Sequence, residues 1–282
     1  MNRRILPLSA LATILQAATT LASPIDLPIN TGLSNVNVQM CILTGCDSDP
    51  SSVSGFVSAK ASPLSAPTSL TLYDFTFTLN DQIDLFISFG FLGNFTGTGQ
   101  NLVLFDAQPG VAQPPTPVSS GTFSYAGVPT DGTGTFTYTS TGIVCSALTN
   151  AGRPCNDVIN LADQGTQSGT LNGSVSFSPG RVLTLNINPN LSIPLDPTNP
   201  GLGTLTVTGT IVATATVPLR GDVNLDGLVD GRDAQEFVTV MLNPGTASWQ
   251  KRFAADMNDD DAFGDLDIIA FSSCTLSAGC PD

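Results

Sequence analysis

Two textures follow one another along the chain. From about Pro24 to Leu219, apolar residues return at every second position in short runs, as in TSLTLYDFTFTL, QIDLFISFGFLG, GTGTFTYTS, RVLTLNIN and GTLTVTGTIVATATV. A period of two puts one face of each run against a core and the other toward solvent, which is the signature of half-buried strands. The runs are rich in Val, Ile, Thr, Phe and Tyr, and turn residues separate them. About nine strands without helical crossovers predict antiparallel pairing, hence a β-sandwich or jelly-roll-like domain. Phe75, Phe77, Phe86, Phe89 and Phe91 are expected to fill its core. No helix is expected before residue 230. A Pro-rich stretch in GQNLVLFDAQPGVAQPPTPVSSG is expected to bulge from the domain, and CDSDPSS reads as a capped loop.

The texture changes at Pro218-Leu219-Arg220. The segment 220–282 holds 12 of the chain's 23 acidic residues, so like charges are concentrated where they should repel. Its sequence is doubled. At an offset of 34, DVNLDGLVDGRDAQEFVTVML lies over DMNDDDAFGDLDIIAFSSCTL, which marks two copies of one supersecondary unit. Phe237 falls on Phe271 and Leu242 on Leu276, so each loop is expected to lead into one helix. Val229, Phe237, Leu242, Phe263, Phe271 and Leu276 are the expected core of this module, with Val229 and Phe263 making the apolar contact between the loops.

The spacing within each copy carries chemistry. Oxygen donors at positions 1, 3, 5 and 12 of a twelve-residue loop, with the carbonyl of position 7, wrap a hard cation. In the first loop these are Asp222, Asn224, Asp226, Asp233 and the carbonyl of Leu228. In the second they are Asp256, Asn258, Asp260, Asp267 and the carbonyl of Ala262. Asp230 at position 9 adds a donor that acts through water, and Gly264 offers none in the second copy. Position 6 must turn sharply; Gly227 suits it, and Asp261 must take a left-handed backbone there. The donor set predicts two calcium ions. Magnesium suits it less, because flexible seven-oxygen coordination fits the larger ion.

Position 12 is Asp in both copies, where an EF-hand sensor has Glu. Two such loops 34 residues apart, each leading into a helix, resemble the dockerin type I module over roughly residues 220–280. That resemblance implies two bound calcium ions and a protein partner, a cohesin-like or other surface protein, engaged through residues 220–282. In that family a Ser-Thr-like pair at loop positions 10 and 11 contacts cohesin. Gly231-Arg232 and Asp265-Leu266 stand there instead.

Composition narrows what the whole chain does. Arg3 and Arg4 followed by the mostly apolar stretch from Ile5 to Leu21, with a cleavage site at Thr20-Leu21-Ala22, read as a signal peptide. The expected organisation is therefore a signal peptide over 1–22, an antiparallel β-sandwich domain over 23–219 and a dockerin type I-like calcium module over 220–282. The expected location is secreted, in the extracellular medium or at a cell surface, with no membrane span once the signal is removed. A net charge of −14 opposes nucleic acid binding. There is no histidine, and the single Glu, Glu236, lies in the acidic module, so a Ser-His-Asp triad is impossible and a two-carboxylate glycosidase would have to use aspartates alone. Asp74, Asp81 and Asp84 are the densest such group outside the module, and they read as strand ends and a turn. The function read here is non-catalytic attachment of the β-domain to an extracellular assembly. The alternative is a carbohydrate-binding or polysaccharide-degrading (O-glycosyl hydrolase) component of a cellulosome-like complex, with a polysaccharide as second partner.

Six cysteines stand in three local pairs, Cys41 with Cys46, Cys145 with Cys155 and Cys274 with Cys280. Short spacing favours these pairings in an oxidising compartment. The mature protein is expected to start near residue 23 and to carry no free thiol. Intact-mass measurement of the secreted protein after alkylation without reductant checks this, with no label incorporated as the expected result.

Overall fold

The computed structural model describes residues 24–194 and 203–277. The expected signal segment 1–22 lies outside them, as does Cys280. The chain divides into two compact units, with the boundary between Leu219 and Arg220.

The first unit, Pro24–Leu219, is an antiparallel β-domain with twelve strands among its described residues. They are β1 (Ile25–Pro28), β2 (Asn35–Ile42), β3 (Gly45–Ser62), β4 (Ser69–Leu79), β5 (Ile83–Ser88), β6 (Asn94–Asp106), β7 (Thr116–Pro117), β8 (Thr122–Ser140), β9 (Asn156–Asn160), β10 (Gln167–Phe177), β11 (Val182–Pro194) and β12 (Gly203–Thr216). Mainly β, antiparallel architecture is what the alternation predicted. Hydrogen bonding adds closure. The path β3–β2–β12–β11–β10–β8–β6–β4 returns to β3 through register pairs running from Val53↔Leu79 to Ser62↔Ser69. Long strands make this possible, because β3 and β8, at 18 and 19 residues, each pair along different parts of their length with different neighbours. Bulges at Ser58/Ala59, Gly169/Thr170 and Gln100/Val103 bend the sheet where it turns.

The core follows the period-two faces. In β5, Ile83, Leu85 and Ile87 are buried while Asp84, Phe86 and Ser88 face out. Phe95 is fully buried and stacks on Tyr138 and Phe136, with centroids 5.5 and 6.5 Å away. Phe75 and Phe77 are core as expected. Phe86 is not, because the register of β5 points it outward, and Phe91 is 99% exposed on a 3-10 turn between β5 and β6. Phe89 is half-buried. At Gly55, φ is +129° and a Cβ would run into the Thr76 carbonyl, so the β3–β4 approach requires glycine there.

Several local expectations are corrected. CDSDPSS is strand rather than loop: Cys41 and Cys46 are register partners across the β2–β3 hairpin and are disulfide-bonded. The Asp47 and Asp49 carboxylates accept the N–H groups of Phe86 (2.7 Å) and Asp84 (2.8 Å), groups that β5 would otherwise leave as a free edge. A helix does occur before residue 230: α1 (Gly142–Asn150) starts the CSALTNAGRPC segment, where Cys145 and Cys155 are joined. Val144 and Leu148 anchor α1 one turn apart, a spacing too short to stand out in sequence. The Pro-rich stretch does not bulge. Gly110 and Gln113 donate backbone N–H groups to the Tyr73 and Leu72 carbonyls, which lays it along β4. The Tyr125 hydroxyl ties the same stretch of β4, donating to the Leu70 carbonyl and accepting from Leu72 N–H.

Asp106, at the end of β6, is fully buried. Its Oδ1 accepts the Gln108 N–H at 2.9 Å, while its Oδ2 has no partner. Burial raises its carboxyl above the ordinary value, against that backbone hydrogen bond, and the charge of Asp131 adds to the rise. A raised folded-state value means that the acid form is the stabilising one. Its contribution is complete below the unfolded carboxylate value of about 3.9 and is lost as pH rises through the higher folded value. Asp106→Asn keeps the shape without the charge, so its stability relative to the parent is expected to rise between pH 4 and pH 7. Urea unfolding at both pH values, followed by tyrosine signals, checks this, because Tyr73, Tyr125 and Tyr138 all lie in the β-domain.

Candidate metal centre

Among its described residues the second unit contains three α-helices: α2 (Ala234–Leu242), α3 (Trp249–Ala255) and α4 (Asp265–Ser277). The doubled sequence predicted α2 and α4. It did not predict α3, which lies outside the repeat and is signalled only by Ser248, whose hydroxyl accepts the Lys251 N–H as an N-cap. Phe237 and Phe271 stack face to face, with centroids 4.2 Å apart and planes 10° apart. The repeat also pairs Val223 with Met257 and Val240 with Cys274, and all four are buried with those rings. Val229 and Phe263 pack against this core as expected. Leu242 and Leu276 do not. They are 73% and 87% exposed, since each lies five residues beyond its Phe, on the far side of its helix. Cys274 is itself oxidised.

Each loop is drawn around its first and last aspartates. Asp222, Asp233, Asp256 and Asp267 are all nearly or fully buried. Each of the four accepts two backbone N–H groups, one per oxygen. Asp222 takes those of Asp226 (3.0 Å) and Gly227 (3.1 Å), and Asp256 takes those of Asp260 (3.2 Å) and Asp261 (3.3 Å). Asp233 takes Asn224 (3.0 Å) and Asp230 (3.0 Å). Asp267 takes Met257 (2.8 Å) and Gly264 (2.9 Å). Position 1 and position 12 are thus tied into one ring per loop, and the two rings match almost bond for bond.

The remaining candidate donors sit at the rim. Asn224 and Asp226 are hydrogen-bonded to each other, as are Asn258 and Asp260. Asp226 accepts the Leu228 N–H, and Asp260 accepts the Ala262 N–H, which leaves the carbonyls of Leu228 and Ala262 outside those bonds. Asp230 is turned away. Its carboxylate takes the Arg232 N–H at 2.8 Å and faces the Arg232 side chain at 3.8 Å. The backbone is doubled too. Position 6 is left-handed in both copies, with φ of +86° at Gly227 and +61° at Asp261, as the sequence required. Position 4 is left-handed as well, at Leu225 (+64°) and Asp259 (+59°), which no residue-type signal announced at Leu225.

The donor set consists of carboxylate, amide and carbonyl oxygens alone, the chemistry of a hard cation. Burial pushes the Asp222 carboxyl above its ordinary value. The backbone bonds from Gly227 and Asp226 oppose this, and the charges of Asp233 and Asp226 push the same way as burial. A positive ion among these groups would relieve both effects. Among the described residues no three acidic side chains converge on a single point; the carboxylates are spread onto the loop N–H groups. A carboxylate oxygen that accepts one N–H keeps a second lone pair, so the donors remain competent to take an ion.

Compared with known families, residues 220–270 match the model described as Dockerin type I domain. The C-terminal unit is dockerin type I-like. The match covers about a fifth of the chain, and no curated protein or solved structure matches it. Dockerin modules bind calcium and dock onto cohesin partners as a class. No described helix of this protein is long and apolar enough to cross a membrane.

Leu225 carries a backbone penalty in this module: an L-residue in the left-handed region costs on the order of 1–2 kcal/mol, and Asn tolerates it best after Gly. The Leu225 side chain is 41% exposed, so little burial is lost on replacement. Leu225→Asn is expected to raise the stability of the module by about 0.5–1 kcal/mol, measured as a higher thermal midpoint for the helical circular dichroism signal at fixed calcium concentration.

Proposed function

We propose that this protein is a secreted, non-catalytic component that joins its β-domain to an extracellular or cell-surface assembly through a calcium-loaded dockerin module. The observation that carries the reading is the duplicated ring of buried carboxylates, Asp222 with Asp233 and Asp256 with Asp267, in a module that matches the dockerin family. Two calcium ions are taken, one per loop. Asp222, Asn224, Asp226, Asp233 and the Leu228 carbonyl hold the first. Asp256, Asn258, Asp260, Asp267 and the Ala262 carbonyl hold the second. Asp230 joins through water once its side chain swings off Arg232. The ions orient the loops so that α2 and α4 present one surface to a cohesin-like partner.

Asp81, Asp84, Asp47 and Asp49 of the β-domain support the non-catalytic reading, because each is engaged in structural hydrogen bonds. Asp81 is held by Ser52 N–H (2.8 Å) and the Ser51 and Ser52 hydroxyls, which lower its carboxyl below the ordinary range. A general acid needs the opposite shift. Asp84 accepts from Gln82 and Thr98, and Asp47 and Asp49 are spent on the edge of β5. Asp74 differs from Asp81: its carboxyl is raised, first by burial, and Asp106 and Asp26 add to this against the Phe75 backbone bond. Asp26 is itself bound by the Ser58 hydroxyl at 2.6 Å.

Calcium is expected to stabilise the dockerin module and leave the β-domain nearly unchanged. Binding to the folded form alone adds about 2.7 kcal/mol per site at a hundredfold excess over Kd, roughly 5 kcal/mol for two. Isothermal titration of the full chain should give two ions bound, and chelator should lower the helical melting transition without moving the tyrosine signals. An unchanged helical melt, in the parent and in Asp222→Ala/Asp256→Ala alike, would show that these aspartates serve another purpose.

A further inference from the structure

The two loops match in their carboxylate rings but not in their surroundings, and the difference is one arginine. Arg220 stands just before the first loop, yet its side chain crosses to the second. Its Nη2 donates to Asp259 Oδ1 at 2.7 Å, and its Nη1 donates to the Phe253 carbonyl at 3.3 Å and lies 3.9 Å from Asp256 Oδ1. The guanidinium is centred 4.5 Å over the Phe253 ring, and the side chain is only 12% exposed. The backbone fixes this reach, because Gly221 N–H donates to the Ala254 carbonyl at 2.7 Å and brings the entrances of the two loops together. The residue at the repeat-equivalent position is Ala254, which carries no charge to return the contact. The first loop has Arg232 instead, 74% exposed and facing Asp230 rather than Asp222. Among the described residues, Asp222 is held by backbone N–H groups and faces no guanidinium.

From this asymmetry we infer that Arg220 is an internal counter-ion for the second loop. It holds that loop in its folded shape without calcium and lowers its affinity for calcium, so the two sites fill in order, the first loop before the second. The inference rests on the reading of both loops as calcium sites. The physical reason is charge. A fixed guanidinium near Asp256 offsets carboxylate repulsion in the metal-free loop, and the same positive charge opposes an arriving divalent ion. Two positive charges against one at about 6 Å, in a water-like dielectric, weaken binding roughly tenfold. Stacking on Phe253 keeps the guanidinium in place when an exposed Arg would swing aside.

The test is calcium titration of the full chain by calorimetry, with the parent, Arg220→Gln and Arg220→Lys. Asp222→Ala and Asp256→Ala assign each binding step to its loop. The parent should bind in two steps, with the weaker step lost in Asp256→Ala. In Arg220→Gln the weaker step should tighten by roughly tenfold and the stronger one stay within about twofold, while the helical melt in chelator falls. Arg220→Lys keeps the charge and loses the fork, so its weaker step should remain near the parent value even where its melt in chelator also falls. A weaker step that is unchanged or loosened in Arg220→Gln overturns the inference, as does a tightened step in Arg220→Lys equal to that in Arg220→Gln. A parent that binds no calcium would instead remove the reading of the loops on which the inference stands.

Discussion

Four buried aspartates govern the C-terminal module. Asp222, Asp233, Asp256 and Asp267 are withdrawn from water in a unit of 63 residues, and charges so placed destabilise a fold unless something compensates them. Compensation begins in the backbone. Each carboxylate oxygen receives one N–H, and to aim those donors inward the loop must place positions 4 and 6 in the left-handed region. The strain at Leu225, Asp259 and Asp261 is therefore a consequence of the carboxylate ring. The helices depend on it too, since Asp233 and Asp267 lie at the starts of α2 and α4, where a negative charge favours the helix dipole. Packing then reads the same two-fold plan, with Phe237 on Phe271 and Val223 and Met257 behind them.

The β-domain spends its acidic groups differently. Asp47 and Asp49 reach sideways to cover N–H groups of β5, which keeps that strand from offering a bare edge. Asp81 fastens the start of β5 to Ser51 and Ser52. Along β10, β11 and β12 most outward positions are Ser, Thr and Asn, with Ser124 of β8 and Thr210 of β12 bonded to neighbouring Asn172 and Asn188. Hydroxyl and amide pairs of this kind satisfy one another across a sheet without charge. The acidity of the protein is thus concentrated in the module, where a cation can use it, and sparse on the domain the module carries.

The symmetry of the module is imperfect in a way that matters chemically. Gly227 and Asp261 share a backbone conformation, yet only the first is free of strain. Asp230 has a side chain to offer and Gly264 has none. Arg220 approaches Asp256 and leaves Asp222 alone. A duplicated loop therefore presents two environments for one kind of ion.

How much of this was legible beforehand depends on how far each interaction reaches along the chain. Alternation fixes which residues of β2, β11 and β12 face inward, because a strand's period is a local property of the backbone. The position-1 and position-12 aspartates were equally plain as a matched pair, since both belong to one short loop and recur at a constant offset. The local disulfides Cys41–Cys46 and Cys145–Cys155 followed from spacing for the same reason. What the sequence could not determine are contacts between segments far apart or set by register. Closure of the sheet rests on β3 meeting β4 while β4 also meets β6. The exposure of Phe86 and Phe91 was decided by one residue of register and one turn. Leu242 and Leu276 looked like core because they repeat, but a helix carries them round to solvent. The partners of Arg220 lie more than thirty residues along the chain, and the pairing of Gly221 with Ala254 delivers its charge to the second loop. Local periodicity and spacing determined the elements and the repeated loop carboxylates; the tertiary fold decided their register and the charges that surround them, because those depend on energies summed between residues that meet only once the chain has folded.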